Sequence, residues 1–225
     1  MLWYGIREMS DWSSMTWLCI DTETTGVDPI RDRVVELAAV QFRGGEVQRR
    51  MGMLIQPGVP IPEEATAVHG IRDEDVAGSP TLAQVQERFL AHVRAAEVLV
   101  GYNWPFDAAF LEAAMGEGWR EAIEGKPVID ALVVVRFDQV GRYWKGAGRH
   151  KLESAARQLG VEWEGRAHRA SADCVVTCRV LWKLREHLPS DPRQADALVR
   201  SERERQQKAF EAWRSAHPRD DATSP

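Results

Sequence analysis

The chain has 225 residues, of which 44% are hydrophobic and 28% are charged, and its formal net charge is −5. This length and balance indicate one sizeable globular domain with a complete core, and they exclude a disordered or fibrous protein. No apolar run approaches the roughly 18 residues of a membrane span, and Arg7, Glu8 and Asp11 interrupt any secretory signal, so we expect a cytoplasmic protein with no membrane association.

Apolar runs bounded by glycine and proline predict strands over residues 16–23, 34–42, 47–55, 97–102 and the first part of 127–135. The turn at Gly44 and Gly45 joins the second and third strands into a hairpin. Helical spacing of apolar residues predicts helices over residues 63–68, after Thr81, from Pro105, over 151–159 and over 171–187. Three antiparallel strands followed by alternating strands and helices indicate an α/β domain with a mixed central sheet flanked by helices.

The chain is divided here into an N-terminal extension of residues 1–14, a domain of residues 15–188 and a charged C-terminal tail of residues 189–225. Met15 lies just ahead of the first predicted strand, so deletion of the extension is expected to leave activity intact. The tail loses periodic apolar character. We expect it to be peripheral or partly disordered, although residues 197–213 could form a charged helix.

The three cysteines are Cys19, Cys174 and Cys178, and their spacing does not form a disulfide framework. An odd number of cysteines of this kind is typical of a reducing compartment. Cys174 and Cys178 are four residues apart on one predicted helical face, and Cys19 lies in an apolar run. We interpret all three as buried structural thiols rather than metal ligands.

Asp21 and Glu23 stand two residues apart at the end of the first predicted strand, so their side chains leave the same face of the sheet. Two carboxylates held this close repel each other unless a cation binds between them. Hard cations such as Mg²⁺ or Mn²⁺ prefer such oxygen ligands. A solvated surface pair is the alternative, but the apolar residues 18–20 directly before Asp21 favour a buried strand.

Asp107, His168 and Asp173 are further candidates for the same site. Asp107 opens a predicted helix, where a carboxylate also interacts favourably with the helix dipole. His168 lies in the loop before a later helix, and Asp173 lies on the first turn of that helix. One helix would therefore bring a general base and a metal ligand to the same rim of the sheet. His168 considered alone could equally be an ordinary surface histidine.

Three sequence blocks carry a family resemblance: DTETTG at residues 21–26, NxxFDxxFL at residues 103–111 and HRAxxD at residues 168–173. Together they resemble the DEDD superfamily of 3′-to-5′ exonucleases, in its histidine-bearing branch, which includes the proofreading epsilon subunit of bacterial DNA polymerase III. The segments IPEEATAVHGI, VIDAL and HKLESAARQLG stand in the order and at the approximate spacing of that family. The resemblance covers about residues 16–187.

The resemblance implies an RNase H-like exonuclease fold and two divalent cations, Mg²⁺ or Mn²⁺. It implies that Asp21, Glu23 and Asp173 ligate the cation that holds the attacking water. Asp21 would also reach a second cation, which Asp107 would hold through water. His168 would take the proton from that attacking water. The expected product is a 5′ mononucleotide.

The resemblance also implies contacts with the terminal nucleotide by Thr24, Thr25, Gly26, His69 and Ile71, and Asn103, Trp104 and Phe106 of the second block are further candidates for substrate binding. The first three would form a turn whose backbone amides approach the nucleotide, and an ordinary turn is the alternative. His69 and Ile71 match positions that often face the terminal sugar or base. Trp104 stands where family members often carry a small residue, and both stacking on a base and core packing are open.

Residues 139–152, here called the basic loop, contain no acid and carry Arg142, Lys145, Arg149, His150 and Lys151 beside Tyr143 and Trp144. Positive charge interleaved with aromatic rings predicts contact with a single strand of nucleic acid, and a solvated loop is the alternative. Residues 189–225 contain seven basic and seven acidic side chains, so the net charge of −5 belongs to residues 1–188. Two bound divalent cations would compensate for most of that charge, so the acidity does not exclude a phosphate substrate.

The sequence therefore predicts a metal-dependent exonuclease that removes nucleotides from the 3′ end of single-stranded DNA, in proofreading or DNA repair. An enzyme that trims RNA 3′ ends is one alternative, although such relatives typically carry Met at the position of Thr24. A catalytically silent nucleic-acid-binding module is another, and the presence of all five active-site residues argues against it. Association with a DNA polymerase or sliding clamp is weakly indicated, because QQKAF at residues 206–210 resembles a clamp-binding peptide but has Ala209 at the aliphatic anchor.

Overall fold

The computed structural model describes residues 12–217, and a single five-stranded sheet forms its centre. The strands are β1 (Trp17–Thr24), β2 (Val34–Arg43), β3 (Glu46–Leu54), β4 (Val98–Gly101) and β5 (Val128–Asp130). Their order across the sheet is β3-β2-β1-β4-β5. β2 runs antiparallel to both β1 and β3, whereas β4 runs parallel to both β1 and β5. The predicted α/β class with a mixed sheet flanked by helices is therefore confirmed.

The described residues form the helices α1 (Glu63–His69), α2 (Asp73–Val76), α3 (Leu82–Ala95), α4 (Trp104–Met115), α5 (Glu117–Ile123), α6 (Ala131–Val135), α7 (Leu152–Gln158), α8 (Ala170–Leu184) and α9 (Pro192–Ala216). Two short helices, α2 and α5, were not predicted. The predicted helix over residues 171–187 ends earlier as an α-helix, and its last turn, Arg185–His187, is a 3-10 helix.

Alternation along β1 divides its side chains between two apolar layers. Trp17 and Cys19 pack in the layer that contains α8, whereas Leu18 and Ile20 pack in the layer that contains α3 and α4. Asp21 and Glu23 continue the alternation of the first pair. The strand therefore directs both carboxylates toward the side of the sheet that α8 covers, at the end of the strand where its apolar residues stop.

The short strand β4 leaves room beside the end of β1. Residues Trp17 to Cys19 of β1 pair with β4, and the chain then leaves β4 and begins α4 at Trp104. Thr22 lies beyond this pairing, and its backbone N–H donates to Oδ1 of Asp107 on α4 at 2.8 Å. The first turn of α4 therefore takes the place of a neighbouring strand, which brings a third carboxylate to the end of β1.

Helix α9 corrects the expectation of a peripheral or partly disordered tail. It starts five residues earlier than the predicted helix, and the carboxylate of Asp191 caps it by accepting from the backbone N–H groups of Arg193 and Gln194. Ala195 and Val199 are fully buried in the layer around α8. Ala195 and Val199 are four residues apart, as on one face of a helix, but many of their neighbours are charged and the segment was therefore not predicted to pack.

Removal of α9 by truncation after Ser190 is expected to destabilise the fold by at least about 2 kcal/mol, because buried Val199 is lost and the ion pair of Asp130 is broken. Arg203 donates from Nη2 to Oδ2 of Asp130 at 3.2 Å, and the Asp130 side chain is 2% exposed. The midpoint and slope of urea unfolding measure the change. Truncation after Gln207 keeps these contacts and is the matched control. Equal stability of the two truncated chains would contradict the packing role of α9.

The N-terminal boundary at residue 15 also needs correction. Trp12 is buried, its ring meets Trp17 edge-on with centroids 5.6 Å apart, and its Nε1 donates to the carbonyl of Pro189 at 3.1 Å. The predicted extension of residues 1–14 therefore includes a side chain of the core, and its complete deletion would remove that packing. The remainder of the extension, residues 1–11, lies outside the described residues.

The three cysteines are free and fully buried, which confirms their interpretation as structural thiols. The Cys174 thiol on α8 donates to the carbonyl of Cys19 on β1 at 3.5 Å. Burial raises the pKa of Cys174 to about 12, which keeps the thiol protonated and unreactive. Among residues 12–217, no helix has the length and apolar composition needed to cross a membrane.

Candidate active site

Glu23 at the end of β1, His168 before α8 and Asp173 on the first turn of α8 meet at one point. One ligand atom from each of these residues lies within 4.8 Å of the others. Glu23 and Asp173 are partly buried, whereas His168 is exposed. The structure thus brings together three of the five residues that the sequence singled out, and they are separated by up to 150 positions in the chain.

The other two residues, Asp21 and Asp107, flank this group. Asp107 is 2% exposed, and its Oδ1 accepts from both the backbone N–H and the hydroxyl of Thr22, at 2.8 and 2.7 Å. These bonds fix the carboxylate beside Thr22, whose neighbours on β1 are Asp21 and Glu23. All four acids therefore lie at the same end of the strand.

Electrostatic repulsion within this group is strong. Burial raises the pKa of Asp21 well above its usual value, and the charges of Asp107, Asp173 and Glu23 raise it further. Burial and nearby acids likewise raise the pKa of Glu23 to about 8 and that of Asp173 to about 7. Burial also raises the pKa of Asp107 to about 7, although hydrogen bonds from Thr22 oppose the shift. Positive charge placed among these carboxylates would relieve the repulsion.

The residues present fit a divalent cation. Oδ1 of Asp173 is buried and has no hydrogen-bond partner among the described residues, although it points into a group of acids. Carboxylate oxygens are the ligands that Mg²⁺ and Mn²⁺ prefer. Asp21, Glu23 and Asp173 are the candidates for direct ligands, and Asp107, whose Oδ1 is engaged by Thr22, is the candidate for contact through water.

His168 occupies an unusual backbone conformation, with a φ of 58° that lies in the left-handed region. Directly after it, Arg169 caps α8, and the backbone N–H of Asp173 donates to the carbonyl of Arg169 at 3.1 Å. Oε1 of Glu153 on α7 lies 3.3 Å from Nε2 of His168. Sequence reasoning missed Glu153, because a single acid in an ordinary amphipathic helix carries no signal of its own.

An ion pair between buried Glu36 and half-exposed Arg169 holds the start of α8. Arg169 donates to both carboxylate oxygens of Glu36, at 2.9 Å from Nη2 and 3.1 Å from Nε, and the backbone N–H of Ala170 donates to Oε2 of Glu36 at 3.1 Å. Glu36 on β2 lies directly opposite Glu23 on β1. Sequence reasoning missed this pair too, since the partners are 133 positions apart.

The variant Arg169→Met is expected to cost about 1–2 kcal/mol in the free energy of unfolding, because buried Glu36 would lose the hydrogen bonds of a guanidinium that is itself half-exposed. Addition of Glu36→Gln is expected to recover part of this loss, since the buried charge is then removed as well. Urea unfolding of the two single variants and the double variant measures the coupling. A double variant that loses the sum of the two single effects would refute the ion pair as the cause.

The turn after β1 is closed by side-chain contacts. Thr24 and Thr25 are buried, and the Thr24 hydroxyl donates to the carbonyl of Gly26 at 2.5 Å. A Cβ atom at Gly26 would lie 2.3 Å from Oδ2 of Asp32, whose carboxylate also accepts from the backbone N–H of Asp28. A side chain at position 26 would therefore have to displace the Asp32 carboxylate from its hydrogen bond to Asp28. The predicted contact of this turn with a nucleotide stays a prediction.

His69 and Ile71 lie at the end of α1, and both are buried. The backbone N–H of Ile71 donates to Nδ1 of His69 at 3.0 Å, which leaves Nε2 as the protonated nitrogen. Burial lowers the pKa of His69, and a contact with the neighbouring backbone of Thr24 opposes this lowering. The predicted contact of His69 with a sugar or base stays a prediction.

The three candidates for substrate binding at the start of α4, Asn103, Trp104 and Phe106, have different surroundings. Asn103 has a φ of 69° and lines the cavity described below, and Phe106 is half-buried against Phe110. Trp104 is 6% exposed and stacks on the fully buried Trp119 in the core. The assignment of Trp104 to base stacking is therefore wrong, because its indole is already packed against protein, and the core-packing alternative is correct.

Asp130, at the end of β5, orients the start of α4. Its carboxylate accepts from the backbone N–H groups of Asn103 at 2.9 Å, Trp104 at 3.1 Å and Leu132 at 3.0 Å. Arg203 of α9 supplies the countercharge. Asp130 belongs to the segment VIDAL, which stands at its expected place in the family. Its contacts depend on Arg203 of α9 and on the left-handed conformation of Asn103, and the segment alone predicts neither.

A cavity of about 670 Å³ lies beside the acids, here called the cleft. His168 and Asp173 line one end, Asn103 and Arg136 line another part, and residues 146–153 form a wall. The basic loop therefore borders the candidate site. Its two aromatic residues differ, because Tyr143 is 79% exposed whereas Trp144 packs against the core. Of the two, Tyr143 is the ring available for stacking.

Comparison with known proteins agrees with this geometry. A family model described as exonuclease, of the RNase T type, matches residues 18–181. The chain is 34% identical over 181 residues to a DNA polymerase III of the PolC type from Lacticaseibacillus paracasei, and the match covers 80% of this chain and 12% of the relative. It is 35% identical to a DNA polymerase III subunit epsilon-like protein from Rhodobacter capsulatus, with coverage of 76% and 24%. The chain thus spans a quarter or less of the length of these relatives.

Solved structures share the fold. Exonuclease X in complex with 5′ overhanging duplex DNA superposes with a TM-score of 0.61 at 23% identity, covering 81% of this chain and 99% of that chain. Exonuclease I from E. coli in complex with a dA16 oligonucleotide gives a TM-score of 0.66 at 21% identity, covering 82% and 43%. The RNase H-like exonuclease fold expected from the sequence is confirmed.

Proposed function

The chain belongs to the exonuclease family, and from this premise we propose that it is a metal-dependent 3′-to-5′ exonuclease that acts on single-stranded DNA. The observation that carries the proposal is the convergence of Glu23, His168 and Asp173 within 4.8 Å, beside Asp21 and Asp107, at the mouth of the cleft. The family uses divalent metal ions, and the all-oxygen carboxylate group favours Mg²⁺ or Mn²⁺.

Each residue has a role in the proposed reaction. Asp21, Glu23 and Asp173 would hold the cations directly, and Asp107 would do so through water. Cations bound in such a site stabilise negative charge on the attacking and leaving oxygens of a phosphodiester. His168 accepts the proton of the attacking water, and Glu153, 3.3 Å from Nε2, stabilises the imidazolium that forms. The 3′ oxygen of the preceding nucleotide leaves, and a 5′ mononucleotide is released.

Several observations support single-stranded DNA as the substrate. The basic loop borders the cleft, and it offers cationic side chains and the exposed ring of Tyr143 to phosphates and bases. Of the two relatives described above, one is named a DNA polymerase III of the PolC type and the other a DNA polymerase III subunit epsilon-like protein. These names support a setting in proofreading or DNA repair. The fold alone does not choose the substrate, because a 3′-exonuclease that recognises a histone mRNA stem-loop also shares it, with a TM-score of 0.61 at 16% identity.

Association of this chain with a DNA polymerase is part of the proposed function. Binding to a sliding clamp through the segment QQKAF is not supported. Residues 206–210 lie inside α9, and the side chain of Gln206 donates from Nε2 to the carbonyl of Val133 at 3.1 Å. An extended peptide could form here only if α9 unwound and this bond broke.

A digestion panel tests the proposal. Single-stranded DNA, duplex DNA with matched or mismatched 3′ ends and short RNA are incubated with the protein and Mg²⁺ or Mn²⁺, and Asp21→Asn is the inactive control. We expect fastest release of mononucleotides from single-stranded DNA and mismatched ends. A large preference for RNA would refute the substrate assignment and favour the RNA-trimming alternative. Absence of nucleotide release with both metals would favour the silent binding module.

A further inference from the structure

A second cavity, of about 560 Å³, adjoins the cleft on the side of α9. The two cavities share Asn103, Leu132, Arg136 and His150 in their walls. Arg203, Gln206, Gln207 and Phe210 of α9 form the outer wall of the second cavity. A continuous surface therefore leads from His168 and Asp173, past Arg136, to the exposed half of α9.

One stripe of α9 carries no acid. Residues at spacings of three and four lie on one face of a helix, and this stripe, here called the α9 stripe, consists of Arg203, Gln206, Gln207, Phe210, Trp213 and Arg214. The distance from Arg203 to Trp213 along the helix is about 15 Å. Glu211 flanks the stripe and accepts a hydrogen bond from Nε2 of Gln207 at 2.7 Å.

The end of the α9 stripe is aromatic and exposed. Phe210 is 52% exposed and Trp213 is 57% exposed, which is unusual for rings of this size. Their planes are inclined by 18° with centroids 6.3 Å apart, and Trp213 stacks in turn on His217 at 5.0 Å. The guanidinium of Arg214 lies 5.9 Å from the Phe210 ring centroid. Exposed aromatic faces beside guanidinium groups are the elements with which proteins stack single-stranded bases.

The inner end of the α9 stripe is held rigidly and retains unused polar atoms. The ion pair from Arg203 to Asp130 and the bond from Gln206 to Val133 fix this end to the domain. Within the described part of the chain, Nε of Arg203 and Oε1 of Gln206 are buried without a hydrogen-bond partner. A polar ligand in the second cavity would therefore meet a preformed surface.

We propose that the second cavity and the α9 stripe bind the nucleotides on the 5′ side of a single strand whose 3′ end lies in the cleft. The inference rests on the proposed exonuclease function and adds a binding surface on α9, which lies outside residues 18–181, the part that the family model matches. Arg136 contacts the backbone between the two cavities, and Phe210 and Trp213 stack on successive bases. Continuity with the cleft, the absence of acids from the α9 stripe and the guanidinium of Arg214 beside exposed rings favour a nucleic-acid strand over a protein partner.

The double variant Phe210→Ala/Trp213→Ala tests this site with oligothymidylates of three and twelve nucleotides. Wild-type protein is expected to have a lower KM for the longer substrate, which alone reaches the α9 stripe. The double variant is expected to raise that KM about 10-fold, with kcat and the KM of the trinucleotide unchanged. Val59→Ala, which truncates an exposed hydrophobic residue outside both cavities, is the matched control.

Two outcomes would overturn the proposal. An unchanged KM of the double variant for the twelve-nucleotide substrate would show that Phe210 and Trp213 do not bind DNA and would favour a protein partner for them. An equal loss of activity of the double variant on the three- and twelve-nucleotide substrates would mean that the aromatic residues stabilise the fold or the cleft instead. Binding is also measured without catalysis, by fluorescence anisotropy of labelled twelve-nucleotide DNA in EDTA. If the wild-type protein releases no nucleotide, the exonuclease function fails, but weaker binding by the double variant than by the wild-type protein would still support the proposed site.

Discussion

Substitution of Asp21 by asparagine is expected to lower the rate of nucleotide release by at least about 10³-fold, since metal-bound charge stabilisation contributes several kcal/mol. Asp21 lies nearest the middle of the acid group, and Asp107, Asp173 and Glu23 all raise its pKa. Asparagine has the same shape, removes one of these charges and relieves part of the repulsion. The variant should therefore fold normally, with a melting temperature in EDTA at or above that of the wild-type protein.

Metal binding provides the readout that separates a ligand from a merely structural residue. Cations that bind the folded protein alone raise its melting temperature. We expect Mn²⁺ to stabilise the wild-type protein and to have a much smaller effect on Asp21→Asn. Glu46→Gln, which changes an exposed acid at the start of β3, is the control and should behave like the wild-type protein in both assays. Full activity of Asp21→Asn would exclude Asp21 from the reaction.

His168→Ala is expected to lower the rate by about 10²–10⁴-fold, the usual contribution of a general base. His168 lies as close to Glu23 and Asp173 as a metal ligand could, so its geometry alone allows either role. Our assignment as a base predicts that the stabilisation by Mn²⁺ survives in His168→Ala. Loss of that stabilisation would identify His168 as a ligand instead. His187→Ala, a change at an exposed histidine after α8, is the matched control.

Local patterns were sufficient to predict β1 and the residues at its end. The alternation of Trp17, Leu18, Cys19 and Ile20 between two apolar layers depends on strand geometry alone. It correctly predicted a buried strand whose next side chains would lie on one face. The family blocks added the remaining acids, which lie on α4 and α8.

Residues whose roles depend on distant partners could not be predicted. Glu36 seemed to be one charge within the apolar strand β2, and its partner Arg169 is contributed by a loop 133 positions later. Asp130 likewise depends on Arg203 of α9. Trp104 was ambiguous, since a large aromatic ring can stack on a base or on protein, and the position of Trp119 determines which occurs.

Helix α9 was underestimated for a different reason. Its composition is mostly charged, and the two side chains that bury it, Ala195 and Val199, are small. Average hydrophobicity therefore indicated a solvated segment, whereas the helix docks through four-residue spacing and through Arg203. The exposed aromatic residues farther along the same helix were likewise recognised only as part of a charged tail.

The most direct test of the central claim is a time course with single-stranded DNA labelled at its 5′ end, in Mn²⁺ and in EDTA. The account predicts that Mn²⁺ produces a ladder shortened one nucleotide at a time from the 3′ end, with release of 5′ mononucleotides, and that EDTA or Asp21→Asn abolishes it. An intact oligonucleotide in Mn²⁺, internal cleavage, or immediate release of the 5′ label would contradict the account.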